Sequence, residues 1–131
     1  MSQENIEIVR TALAALDQGD VERYLRVASS EIELITPASA LEGPTVGHEG
    51  IRRFFGEMEA FSESSSFEVE EIRSVGSRVL ALFTLTAVGR MSAAETSLEL
   101  AGIYSIEDGK LRRVHIYADR REALEAIGLS D

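Results

Sequence analysis

The sequence predicts an α+β domain in which three N-terminal helices pack on a curved, mainly antiparallel sheet. Apolar residues recur mostly at helical spacing up to residue 61, and at the two-residue spacing of strands from residue 67 onward. A run of helices followed by a run of strands is typical of this fold class. With 131 residues and 44% hydrophobic content, the chain has the size of one globular domain, which we place at residues 1–131.

Three amphipathic helices are predicted in the first half of the chain. Apolar residues three and four apart form a first helix that ends at Gly19, and Asp20 is suited to capping a second, shorter helix. The apolar spacing extends this second helix to Ala28. A third helix follows a loop over residues 38–47 that contains glycine and proline. Its apolar face is formed by Ile51, Phe54, Phe55 and Met58.

Five strands are predicted, one of them before the third helix. Residues 32–36 are rich in β-branched side chains and are stopped by Pro37, which indicates a short strand. After a serine-rich turn at residues 62–66, longer strands follow at residues 67–74, 78–89, 95–106 and 110–118. Hairpin signals between them, such as Asp108-Gly109, predict antiparallel pairing. Asp119 and Glu122 have the spacing of a capping box and predict a short C-terminal helix that ends at Gly128.

Composition excludes several function classes. Asp and Glu outnumber Lys and Arg by 23 to 13, and the net charge of −10 repels nucleic acids and anionic lipid surfaces. The chain has no cysteine, so it forms no disulfide, thiolate nucleophile or zinc ribbon. No segment has the length of an apolar membrane span, and the first residues do not resemble a signal peptide. We therefore expect a cytoplasmic protein without nucleic-acid or membrane partners.

Motifs for cofactors and metals are missing from the sequence. No phosphate-binding loop, dinucleotide fingerprint or His-Glu-x-x-His is present, so we expect no cofactor and no metal. His48 falls at the start of the third helix, where a solvent-facing position is expected. His115 shares strand parity with Arg113 and Tyr117, which places it on the outer face of the sheet. Glu70 and its acidic neighbours are expected to protect an exposed strand edge.

A homodimer is expected because the central strand is apolar on both faces. The segment 78–88 carries apolar residues at successive positions, whereas the helices can cover only one face of the sheet. Contact between the outer sheet faces of two copies would bury the second apolar face.

Four segments, taken in order, resemble the nuclear transport factor two-like superfamily, and within it the SnoaL-like polyketide cyclases and ketosteroid isomerases. They are residues 14–20 at the end of the first helix, Thr36-Pro37 at the end of the first strand, residues 47–55 at the third helix, and the ending over residues 108–129. The resemblance spans nearly the whole chain. It implies a cone-shaped α+β barrel with a pocket between sheet and helices, and it leaves the function open because this fold serves many functions.

The polar groups of the isomerases are not matched here. Those enzymes use a carboxylate base together with a tyrosine and a neutral acid. They are an established example of carboxyl groups whose pKa values are set by their surroundings. The resemblance places the base at Thr36, the tyrosine at Ala12 and the acid at Gly102, while a supporting tyrosine matches Phe55. Isomerase chemistry of that kind is therefore not expected. The Asp-Arg-Asp set of epoxide hydrolases is also missing, since the inward positions of the last strand are Val114, Ile116 and Ala118.

Candidate site residues follow from the inward parity that the resemblance gives Gly102. Tyr104 shares this parity, and Tyr24 and Thr36 fall near the same cavity, so each could hydrogen-bond a ligand. For all three, a purely structural role in the core is the alternative. Asp119 is a fourth catalytic candidate because a late Asp serves as the acid in SnoaL-like cyclases, although a helix cap explains it better. The predicted apolar ligand-binding residues are Phe55, Met58, Leu100, Val114 and Ile116.

Two functions from different classes are consistent with these residues. The first is a SnoaL-like protein that binds a small hydrophobic ring compound in a mostly apolar pocket, with or without cyclase- or isomerase-like activity. The second is a non-catalytic dimeric interaction domain whose interior is filled by its own side chains. A cavity of roughly 300 Å³ or more favours the first function, whereas a packed interior favours the second.

Overall fold

A computed structural model describes residues 2–129. The elements in chain order are α1 (Ser2–Gln18), α2 (Val21–Arg26), β1 (Ala28–Ile35), α3 (Ser39–Glu42), β2 (Thr45–Val46), α4 (Gly47–Phe61), β3 (Ser62–Val75), β4 (Arg78–Gly89), β5 (Glu95–Glu107), β6 (Lys110–Tyr117) and α5 (Arg120–Ala126). Helices therefore dominate the first half of the chain and strands the second, which confirms the predicted α+β class.

The strands form one open, mixed sheet of six strands in the order β2-β1-β6-β5-β4-β3. From β3 to β6, each strand pairs antiparallel with the next along the chain, as predicted from the hairpin signals. The first long strand, β1, pairs in parallel with β6 and antiparallel with β2. Strand β2 lies within the segment predicted as a loop, so the prediction of five strands was one too few.

Two predicted boundaries were wrong because tertiary pairing overrode local signals. Strand β1 begins at Ala28, which the apolar spacing assigned to the second helix. Ala28 pairs with Leu111, and the N–H of Leu111 donates to the carbonyl oxygen of Val27 at 2.7 Å, which ends α2 there. The serine-rich segment 62–66, predicted as a turn, is the start of β3. Its backbone pairs with β4 from residue 86 to residue 89.

The main core lies between the inner face of the sheet and helices α1, α2 and α4. Val79, Ala81 and Phe83 of β4 face inward and pack in the same cluster as Leu13 of α1 and Ile51 of α4. All five side chains are almost completely buried. Because β4 is apolar at successive positions, its sequence left the inward face open, and the structure assigns it to the parity of Val79, Ala81 and Phe83.

The short helix α5 covers part of the outer face. Ala123 and Ile127 pack with Leu80, Ala101 and Ile103 in a second, smaller buried cluster. Part of the apolar surface that suggested a homodimer is therefore covered within the chain itself. The homodimer is not tested by a single chain and stays a prediction.

Arg120, the first residue of α5, ties this helix to the sheet. Its Nε donates to the carbonyl oxygen of Leu100 at 3.1 Å, and an Nη donates to that of Phe83 at 3.0 Å. The same guanidinium forms a bidentate ion pair with Glu70, with N–O distances of 3.1 and 3.2 Å. Glu70 lies in a bulge of β3, where the pairing with β4 shifts register. Glu70 thus has a specific partner on the outer face, beyond the edge protection that its position on the edge strand predicts.

No helix within residues 2–129 is long and apolar enough to cross a membrane.

Candidate functional site

A cavity of about 720 Å³ lies between the inner face of the sheet and helices α1, α2 and α4. Every one of the strands β3 to β6 contributes to its wall, together with the end of β1. The wall is formed by Leu16, Tyr24, Leu34, Thr36, Pro37, Phe54, Met58, Phe67, Phe83, Leu85, Ser97, Leu98, Glu99, Leu100, Tyr104, Val114, Ile116 and Ala118.

The wall is mainly apolar and aromatic. Among these residues Glu99 is the one with a charged side chain, and no Lys, Arg or His is present. The remaining polar side chains are those of Tyr24, Thr36, Ser97 and Tyr104. A concave, mostly apolar space with a few polar groups is the usual form of a site for a small molecule.

The structure brings three of the four catalytic candidates together on this wall. Tyr24 comes from α2, Thr36 follows β1, and Tyr104 comes from β5. The fourth candidate, Asp119, lies outside the wall. Its carboxylate accepts a hydrogen bond from the N–H of Arg121 at 2.9 Å and so caps α5. This is the structural alternative that the sequence suggested for Asp119.

The ring of Tyr104 lies directly over Gly102 on the inner face. A Cβ atom at position 102 would lie 2.7 Å from Cε1 and 2.9 Å from the hydroxyl oxygen of Tyr104. Real Cβ contacts are not that short, so glycine is required while the ring holds this position. The space where the isomerases are expected to place an acid is therefore occupied by a tyrosine two residues further along the strand.

No hydrogen bond joins the hydroxyl of Tyr24 or Tyr104 to another group among residues 2–129. Because no fully buried side-chain N or O atom in that range lacks a partner, these two oxygens border the cavity. Both side chains are nearly inaccessible from bulk solvent, with exposures of 3% for Tyr24 and 1% for Tyr104. Burial raises the pKa of Tyr24, and burial together with the nearby Tyr24 raises the pKa of Tyr104. Both groups are therefore neutral hydrogen-bond donors at neutral pH.

Four of the five predicted apolar ligand-binding residues line the cavity, namely Met58, Leu100, Val114 and Ile116. The fifth, Phe55, does not. Its ring packs edge-to-face on Tyr24 with centroids 5.5 Å apart, while the preceding residue, Phe54, lines the cavity. Helical spacing identifies the apolar face but not which side chain meets the core and which meets an empty space.

Phe67 and Phe83 were missed as lining residues. Their rings lie next to each other, with centroids 6.1 Å apart, on the neighbouring strands β3 and β4. Phe83 lies opposite Leu100 and two residues from Ala81, which lies opposite Gly102, so the pairing of β4 with the predicted inward residues of β5 was the signal that could have identified it. Whether the predicted site residues bind a ligand stays a prediction.

The two histidines lie away from this cavity. Nε2 of His48 donates to the carbonyl oxygen of Ala28 at 3.0 Å, so this half-buried side chain joins α4 to β1 rather than facing solvent as expected. His115 stacks on Tyr117 with ring centroids 4.1 Å apart on the outer face. Burial, followed by the charge of Arg113, lowers the pKa of His115.

A second hollow, of about 530 Å³, lies on the surface between α1, α4 and the start of β3. Polar residues such as Asp17, Arg52 and Glu63 line it, and Leu16 and Met58 belong to both this hollow and the cavity. In the part of the chain that the structure describes, no three His, Cys, Asp or Glu side chains are grouped so as to hold a metal ion.

The sequence profile of the SnoaL-like domain family matches residues 9–114. The chain belongs to the SnoaL-like domain family. No curated protein matches this SnoaL-like chain by sequence.

Several solved structures share the fold of this SnoaL-like protein. TerC, crystallised with polyporic acid, has a TM-score of 0.79 at 22% identity, covering 95% of this chain and 98% of its own. A Catenulispora acidiphila protein with a ketosteroid isomerase-like fold, in complex with trimethylamine, has a TM-score of 0.77 at 15% identity, covering 94% and 93%. A Jannaschia sp. CCS1 protein assigned to the SnoaL-like polyketide cyclases has a TM-score of 0.79 at 14% identity, covering 99% and 95%. At these identities the likeness establishes the fold.

Proposed function

We propose that this SnoaL-like protein binds a small, hydrophobic, ring-containing molecule in the cavity between sheet and helices. The observation that carries this proposal is the cavity itself, whose volume of about 720 Å³ falls within the range of about 300–1,000 Å³ that is usual for ligand sites. Its wall offers aromatic side chains such as Phe54, Phe67 and Phe83 for contact with a ring.

Proteins of the same fold have been crystallised with small molecules. TerC was crystallised with polyporic acid, and the Catenulispora acidiphila protein with trimethylamine. The Jannaschia protein is assigned to the SnoaL-like polyketide cyclases. These neighbours support a small ligand for the cavity of the present protein, and the apolar wall favours a hydrophobic one.

Any catalysis would be cyclase- or isomerase-like and would depend on positioning and hydrogen bonding. The wall has no His, Lys or Asp, and the isomerase positions carry Ala12, Thr36 and Gly102, so the base of the isomerases has no counterpart here. The one carboxylate residue of the wall, Glu99, lies opposite Thr84, whose hydroxyl bonds Glu70 on the outer face. The donors that could orient a substrate are Tyr24, Thr36 and Tyr104, and correct orientation of a reactive molecule can itself accelerate cyclisation.

The alternative function, a dimeric interaction domain with a filled interior, requires side chains that occupy this space. The open cavity favours ligand binding instead. We also propose a homodimer through the outer sheet face. Helix α5 covers only part of this face, and contact with a second copy would cover the rest symmetrically. Sedimentation of a stable monomer at micromolar concentration would contradict the dimer and would leave the binding proposal unaffected.

Titration with N-phenyl-1-naphthylamine, an uncharged aromatic fluorophore, tests the binding function. We expect saturable fluorescence enhancement with the wild type. Leu98→Trp enlarges a side chain of the wall that is 47% exposed, and it should weaken binding at least about fivefold by narrowing the cavity. Met91→Trp is the matched control, because Met91 is 99% exposed and lies outside the wall.

No enhancement with the wild type, or equal affinities for the wild type and Leu98→Trp, would contradict ligand binding in this cavity. An effect of Met91→Trp as large as that of Leu98→Trp would show that the loss arises from the added indole and not from the cavity.

A further inference from the structure

We infer that the cavity selects uncharged ring compounds that carry a hydrogen-bond-accepting oxygen, such as an aryl ketone, and that the hydroxyls of Tyr24 and Tyr104 bind this oxygen. This inference rests on the proposed function, because it names the ligand class for the same cavity. The evidence is the state of the two hydroxyls and the charge of the wall.

The two hydroxyls are hydrogen-bond donors that reach the cavity from largely buried side chains. Tyr24 and Tyr104 are 3% and 1% exposed, and no hydrogen bond joins either hydroxyl to another group among residues 2–129. Every fully buried side-chain N or O atom in that range has a partner, so these two oxygens are not sealed in the core but border the cavity. Because both side chains line the cavity, a molecule inside it can supply the missing acceptor.

The rest of the fold also explains why these donors are free. Gly102, on the same face as Tyr104, has no side chain that could accept a hydrogen bond from the ring above it. Tyr24 packs its ring against Phe55, which has no polar atom to offer. The hydroxyls are thus surrounded by groups that hold the rings in place and leave the oxygen ends unpaired.

The charge of the wall determines which acceptor fits. No Lys, Arg or His side chain lines the cavity. A carboxylate or phosphate would lose its hydration without gaining a counter-ion, and the net charge of −10 would repel it further. An uncharged carbonyl oxygen accepts hydrogen bonds from both hydroxyls without that cost, whereas a pure hydrocarbon leaves them unpaired.

Three naphthalenes of nearly the same shape test this inference: 2-acetylnaphthalene, 2-isopropylnaphthalene and 2-naphthoate. Their dissociation constants are measured by displacement of N-phenyl-1-naphthylamine. We expect Tyr24→Phe and Tyr104→Phe each to weaken binding of the ketone about three- to tenfold, the usual net effect of one hydrogen bond. Binding of the hydrocarbon should stay unchanged or become tighter. The wild type should bind 2-naphthoate more weakly than the ketone.

A spectroscopic signal and two controls accompany the titrations. The carbonyl stretching frequency of bound 2-acetylnaphthalene should rise in both variants, because a hydrogen bond to the oxygen is lost. Both variants should unfold at the wild-type temperature or above it, since no hydrogen bond joins either hydroxyl to another group among residues 2–129. Tyr117→Phe on the outer face should change neither ligand's affinity.

The outcomes separate the two proposals. If no naphthalene binds the wild type, the proposed function fails, and this inference fails with it. If ketone and hydrocarbon bind but the tyrosine variants weaken both equally or neither, ligand binding stands and the inference is wrong. Binding of 2-naphthoate as tight as that of the ketone would also overturn the inference.

Discussion

The two faces of the central strands use polar side chains in opposite ways. On the inner side, Tyr104 of β5 and the facing Tyr24 of α2 line the cavity, and no hydrogen bond joins their hydroxyls to another group in residues 2–129. On the outer face, Arg120 is paired with Glu70, and Arg113 with Glu33 at 3.0 Å. The polar groups of the outer face therefore stabilise the fold itself, whereas those of the inner face are available to a bound molecule.

The two faces meet in the backbone of Phe83 and Leu100. The side chains of these paired residues line the cavity, while their carbonyl oxygens accept hydrogen bonds from Arg120 on the other side of the sheet. Arg120 on the outer face thus holds part of the cavity wall in place. Substitutions on each face test whether outer-face polar groups stabilise the fold while inner-face groups do not.

The largest effect is expected from Gly102→Ala on the inner face. The new methyl group would collide with the ring of Tyr104 at 2.7 Å, and such overpacking of a core typically costs about 1–3 kcal/mol. Urea unfolding followed by circular dichroism measures the loss. Gly56→Ala in α4 is the matched control, because a Cβ there meets nothing within 4 Å and alanine favours the helix. Equal stability of Gly102→Ala and the wild type would contradict the tight contact between Tyr104 and Gly102.

A smaller loss is expected from Arg120→Ala on the outer face. It removes two hydrogen bonds to backbone carbonyls and one ion pair, and we expect a loss of about 1–2 kcal/mol in the free energy of unfolding. The neighbouring Arg121→Ala removes the same charge from an exposed position and should change stability by less than about 0.5 kcal/mol. Similar losses for the two variants would show that the lost stability comes from removing a positive charge from α5 and not from the contacts of Arg120 with the sheet.

The smallest effect is the pH dependence of the ion pair between Glu70 and Arg120. Hydrogen bonds from Arg120 and Thr84 hold the pKa of Glu70 below its ordinary value of 4.5. A carboxylate with a lowered pKa in the folded state stabilises the protein above the pKa of the unfolded chain, and this contribution is lost as the pH falls through the folded pKa. The wild type should therefore have a larger free energy of unfolding than Glu70→Gln above pH 4.5. This difference should shrink as the pH falls below 4.5 and through the lower pKa of Glu70 in the folded state. Unfolding curves between pH 3 and 6 measure it, and a constant difference would contradict the ion pair.

Periodicity predicted the parity of the sheet correctly, and with it much of the wall. Alternation put Leu100 and Tyr104 on the same face as Gly102, and the family resemblance identified that face as the inner one and gave Val114 an inward position. Boundaries were predicted less well. Ala28 and the serine-rich segment 62–66 belong to strands because partners distant in sequence supply their hydrogen bonds. No local pattern contains that information.

The sequence by itself determined the α+β class, the order of the main elements and which residues of a strand share a face. These follow from spacings of apolar residues that are local to each element. Only the tertiary structure decided that a cavity remains between the layers, that Phe54 and not Phe55 lines it, and that Arg120 reaches across to Glu70. Each of these depends on how far two layers approach and which distant groups meet, and that distance is set by the packing of all side chains together.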